Sequence, residues 1–154
     1  EKEAELKQAL PVQFVLEGAD PWTWMDIQQG IGWVVPATSE KFVPQMMNYQ
    51  LIDAIDFDKG CYLGQEIVAR MQYRGQLKRQ MYHARVNEEQ RPPAGATVKN
   101  QAGDGVGTIV CAVAVSEGHE LLAVLQKEDD SQAYFLDSGE EMTLLPLPYA
   151  MDNS

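Results

Sequence analysis

The sequence is short of the residues that most often announce a chemistry. Its 154 residues hold two cysteines and two histidines. Cys61 and Cys111 lie far apart, and no C-x-x-C, H-E-x-x-H or Ser-His-Asp order occurs. A disulfide scaffold and a closed four-ligand zinc or iron–sulfur site within the chain are therefore disfavoured. His83 and His119 stand isolated in the sequence, and a hydrolase reading has nothing to rest on. Long apolar runs are missing too. The longest, Ile109 to Val115, is seven residues, too short to span a bilayer. With no secretory leader visible, a cytoplasmic protein with reduced thiols and no membrane partner is expected. Positive charge is scarce, with 12 Lys and Arg against 23 Asp and Glu and a net charge of −11. Such a balance argues against a surface that coats nucleic acid in general.

What is present suits one to two small domains with a real core. The apolar fraction of 45% and the charged fraction of 23% are ordinary for globular proteins. The few basic residues are concentrated: Arg70, Arg74, Lys78, Arg79 and Arg85 fall between Ile67 and Asn87, where no Asp or Glu occurs. Arg70 and Arg74 would share one helix face, with Tyr73 beside them. Arg70, Tyr73, Arg74, Lys78 and Arg79 thus form a candidate contact for RNA or an acidic partner, with an aromatic for base stacking. A solvated helix face is the plainer alternative.

Punctuation divides the chain into two textures. A charged stretch from Glu1 to Ala9 suggests a surface helix, and Val12–Leu16 a short strand. Asp20-Pro21-Trp22 suits a helix start, with a helix running to Gly30 and a shorter one from Glu40 to Asn48. Leu51–Phe57 then leads to Gln65, where good helix formers continue without a breaker until Gly75. Beyond it come six strand-like segments: Lys78–Val86, Ala96–Gln101, Val106–Ser116, Leu121–Gln126, Ala133–Asp137 and Met142–Leu147. Pro and Gly-rich turns separate them. Together they predict a small antiparallel barrel or sandwich, with the boundary near Gly75-Gln76. Gly103-Asp104-Gly105 resembles a phosphate loop superficially, but it lacks the helix and lysine such loops need, and a hairpin turn is expected. Cys111, inside an apolar strand, is expected to pack.

The most specific stretch is Lys59-Gly60-Cys61-Tyr62-Leu63-Gly64-Gln65-Glu66. Cys61 sits between two glycines just ahead of a predicted helix, whose unpaired N–H groups favour a thiolate. Lys59 would add positive charge, and Gly60 and Gly64 allow φ > 0 or close approach to a ligand. A buried, inert cysteine remains the bland alternative. Trp22, Trp24 and Trp33 each offer a flat face for stacking a ring or a contribution to a core, and composition does not choose among them. Asp26, Gln65 and Glu66 could meet a polar ligand edge or serve structure, Glu66 by facing the helix dipole. Asn48 could cap a helix end or enter a pocket.

This octapeptide resembles the K-G-C-[YF]-x-G-Q-E signature of the YgfZ family. The likeness extends through Trp22, Met25-Asp26-Ile27, Gly30-Ile31, Phe42-Val43-Pro44-Gln45 and Asn48 ahead of the signature. After it come Val68-Ala69-Arg70, Tyr73-Arg74-Gly75, Lys78-Arg79 and the final Pro146-Leu147-Pro148-Tyr149. The family comprises folate-binding, tRNA-modification-associated proteins related in fold to the aminomethyltransferase of the glycine cleavage system. Its members are about twice this length, so the chain looks like the C-terminal half. The resemblance implies an α+β architecture in which residues 1–75 belong to an aminomethyltransferase-like folate-binding region that is incomplete in this chain. Residues 76–148 then form an antiparallel β-barrel. It also implies tetrahydrofolate as ligand, Trp22 as the folate-associated tryptophan, and support of iron–sulfur proteins and tRNA-modifying enzymes as the role, with tRNA itself a candidate partner. Cys61 is the expected working residue, although no catalytic constellation surrounds it and the reading leans away from an enzyme. An aminomethyltransferase-like one-carbon transferase and a non-catalytic interaction module are the two rival readings.

Overall fold

A computed structural model describes residues 20–74, 77–126 and 132–151, with the side chains of residues 72–76 left aside. The segments expected at Glu1–Ala9 and Val12–Leu16, and the boundary at Gly75-Gln76, lie outside these. Helix α1 spans Asp20–Gln28. Three short 3₁₀ turns follow at Pro36–Thr38, Pro44–Met47 and Tyr49–Ile52. Helix α2 covers Gln65–Arg74. Six strands complete the order: β1 Arg79–Val86, β2 Thr97–Lys99, β3 Gly105–Ala114, β4 His119–Gln126, β5 Tyr134–Phe135 and β6 Glu141–Leu145.

The strands close into a barrel in the order β1-β4-β3-β2-β5-β6, every described pair antiparallel. The α+β expectation and the antiparallel barrel therefore hold. Period-two alternation explains why these segments pair as they do. In β4, Leu121, Ala123 and Leu125 join the barrel interior, while Leu122 and Val124 face the other way. Both sets are buried, so β4 is covered on two faces and reads as an almost continuous apolar run. Strand β3 changes register between Ile109 and Cys111. This bulge keeps Ile109 and Ala112 in the interior while Val110, Cys111 and Val113 join the outer cluster, as an extra residue in one strand requires.

That outer cluster carries the helical segment. Ile27 of α1 and Met47 of the second 3₁₀ turn pack on Met81, Val110, Val113, Leu122 and Val124. Chain reversal after α1 depends on Gly30, at φ +64°. The Ile31 N–H donates to the Asp26 carbonyl at 2.8 Å and the Gly30 N–H to the Ile27 carbonyl at 3.0 Å, the doubled bond pattern of a glycine-ended helix. At Gly32 an added Cβ would come within 2.7 Å of Met47 and 2.8 Å of Met81. The two layers meet there with no room for a side chain.

The helix expected over Glu40–Asn48 forms instead as 3₁₀ turns. Asn48 and Asp53 sit at positive φ and end them. The expected hairpin turn at Gly103-Asp104-Gly105 is present. Asn100 Oδ1 accepts from the Ala102 and Asp104 N–H groups at 3.0 and 2.9 Å, and Gly103 takes φ +88°.

Candidate functional site

The signature loop stands on the surface just before α2. The Asp56 carboxylate accepts from the Asp58 and Lys59 N–H groups at 2.9 and 3.1 Å, which fixes the loop's entry. Lys59 then lies over the Tyr62 ring, 5.1 Å from its centroid, a cation–π contact. Cys61 is a free, exposed thiol, and Leu63 two residues on is fully exposed. The Gln65 and Ile67 N–H groups at the start of α2 donate to the Tyr62 and Gly64 carbonyls at 3.2 and 3.1 Å. Those two helix donors are thus occupied within the turn, while Glu66 places an acidic side chain in the first turn. Gly64 adopts φ +87° as the glycine pattern suggested, but Gly60 does not need positive φ and has open space around it.

The two cysteines are in contrasting settings. Cys111 is half-buried against the outer cluster. Burial pushes its pKa up to about 11, opposed by the Leu122 backbone hydrogen bond and reinforced by the charge of Asp26. The packing role expected for it fits this environment.

Helix α1 presents the second group of candidates. Trp22 is 70% exposed, Trp33 61% and Trp24 45%, and none of the three belongs to the two described core clusters. The Trp33 indole N–H donates to Asp26 Oδ2 at 2.9 Å. Asp26, open between ligand contact and simple exposure in the sequence, is half-buried and holds an aromatic side chain. Nothing in the sequence marked that pair, whose members are seven positions apart.

Several anchoring contacts were also invisible in the sequence. Gln45 is buried and its amide donates to the Val68 carbonyl at 2.6 Å, tying α2 to the 3₁₀ segment. Asn48 proves to be a clamp. Its amide donates to the Met81 carbonyl at 2.7 Å and accepts from the Met81 N–H at 3.4 Å. Strand β6 pairs with β1 at His83, Ala84 and Arg85, and this ladder stops short of Met81. Asn48 takes up the pairing at Met81 in its stead. Tyr149 extends the clamp, donating to the Gly30 carbonyl at 2.8 Å and accepting from Asn48 at 3.3 Å. The histidines, isolated in sequence, are both buried and partnered: His83 lies 3.3 Å from Glu120 Oε2, and His119 is 3.0 Å from the Glu88 carbonyl. Glu120 also accepts from Gln28 of α1.

Of the basic candidates, Arg70, Lys78 and Arg79 are exposed. Tyr73 and Arg74 lie in the last turn of α2, and their side chains fall outside the described ones. Among the described residues, no helix is long and apolar enough to cross a membrane.

Fold and surface define an α+β module: an antiparallel barrel with a helical layer on its flank, bearing a glycine-framed cysteine loop and an exposed tryptophan helix. No protein-family model matches the chain. Curated relatives do. The tRNA-modifying protein YgfZ of Photorhabdus laumondii is 36% identical over 149 residues, 92% of this chain and 45% of the relative. That of Sodalis glossinidius is 33% identical over 153 residues, 95% and 47%. That of an Enterobacter species is 31% identical over 151 residues, 94% and 46%. Over the span it covers, the chain is similar to these YgfZ proteins. It spans about half the length of the curated relatives it matches, consistent with a C-terminal half.

Proposed function

We propose that this chain is part of a tetrahydrofolate-binding accessory protein that supports tRNA modification through iron–sulfur enzymes, with Cys61 as its working residue. The observation that carries the reading is the match to tRNA-modifying YgfZ proteins along more than nine-tenths of the chain. Two surface features favour it. The signature cysteine is exposed rather than packed, and Trp22 offers an open indole for a pterin or aminobenzoyl ring. In this reading residues 1–75 contribute one wall of a folate site, and residues 76–148 form the barrel that braces it. The exposed Cys61 thiol acts on a partner or a damaged cluster close to the bound folate. Arg70, Lys78 and Arg79 guide RNA or an acidic partner toward it.

Equilibrium binding of folinic acid, a stable reduced folate, to the full-length protein tests the ligand. Trp22→Leu is expected to weaken binding about tenfold, the upper end for an aromatic contact. Cys61→Ser is expected to leave it unchanged. No detectable binding by the full-length protein would remove folate from the account.

A further inference from the structure

Trp33 is exposed, yet its indole is not free to turn. Its N–H is held by Asp26 Oδ2 at 2.9 Å. Asp26 stands one helical turn after Trp22 on α1, so the two share a face. Ile27, buried at 0% exposure, fixes which side of α1 meets the barrel. Trp22 and Met25 consequently project from the opposite side, and both are at least half exposed. Asp26 thus shares a helix face with one exposed indole, Trp22, and holds the other, Trp33, by a hydrogen bond.

From this arrangement we infer that Trp33, oriented by Asp26, is a second stacking residue for a flat heteroaromatic ring, alongside Trp22. The inference rests on the folate reading and adds to it a ligand-contacting residue, Trp33, and a positioning residue, Asp26. An exposed indole ordinarily samples several rotamers, and binding must pay for ordering it. The bond to Asp26 restricts the ring beforehand.

The test is calorimetric titration of the full-length protein with folinic acid. Trp33→Leu should weaken binding about tenfold, with the melting temperature unchanged because the side chain is exposed. Asp26→Ala should weaken it to a similar degree, and should add less than about twofold once Trp33 is already Leu, since Asp26 acts through Trp33. Asp26→Asn, whose amide oxygen still accepts the indole N–H, should retain binding within about threefold. A merely structural Asp26 would not give this non-additivity and rescue. If Trp22→Leu weakens binding while Trp33→Leu does not, the inference falls and the folate reading stands. If Trp33→Leu lowers the melting temperature and leaves affinity intact, Trp33 is covered by the rest of the longer protein, and the inference again falls. If the unaltered full-length protein does not bind folinic acid, both fall together.

Discussion

Asn48 does the work of a missing strand residue. It is fully buried, and its single amide satisfies both backbone groups of Met81. Replacing it with Ala would leave those groups unpaired in the core. The expected cost is about 1–3 kcal/mol, read as a lower urea midpoint with an unchanged slope. The pH dependence of Cys111 follows from burial. Its folded pKa is raised from 9.0 to about 11. The neutral thiol therefore contributes stability that is fully present below pH 9 and is lost as pH rises toward 11. Urea titrations across that range should show stability falling more steeply for the unaltered protein than for Cys111→Ala. At this scale the sequence was only partly readable. Cys111 announced its packing through the apolar strand around it. The partners of Asn48, Gln45 and Tyr149 did not announce themselves, because each lies 23 to 119 positions away.

The elements were more legible than their contacts. All six strands fall within a few residues of the segments marked by alternation and turn residues, since both signals are local. Gln65 marks the start of α2, and Gly30 follows the end of α1. The stretch from Glu40 to Asn48 was expected as one helix and forms 3₁₀ turns. Its residues lack a clean 3.6 period, and its turns are held by tertiary bonds from Gln45 and Asn48. The glycines give a sharp contrast between elements. Gly30→Ala would force Cβ into the left-handed region and to 2.6 Å from the Tyr149 hydroxyl. It should cost at least about 1 kcal/mol, with melting lowered by about 2–4 °C for each kcal/mol. Gly60→Ala, with open space and no positive φ, should leave melting unchanged.

On the scale of the whole molecule, two buried apolar clusters hold the described fold together while the candidate site residues lie on its surface. The barrel and the outer cluster consume the apolar residues, while Cys61, Trp22 and Trp33 stay on the surface. Pattern predicted the antiparallel strands but left barrel and sandwich open, and the closed barrel was what the resemblance implied. The site was legible as a motif, but its geometry was not: the Trp33–Asp26 pair depends on how the chain leaves α1. Against a net charge of −11, the stretch around Arg70, Lys78 and Arg79 is the candidate RNA contact of the proposal. Replacing these three with Ala in the full-length protein should lower the slope of log affinity for tRNA against log salt by about 2–3. An unchanged slope would place any RNA contact elsewhere.

The central claim is that Cys61 works and Cys111 packs. It is tested most directly by mass spectrometry of tRNA nucleosides from cells whose only copy of the full-length protein carries Cys61→Ser or Cys111→Ser. The account expects Cys61→Ser to reproduce the modification defect of cells lacking the protein, at unchanged protein abundance, and Cys111→Ser to restore normal levels. Normal modification with Cys61→Ser would contradict it.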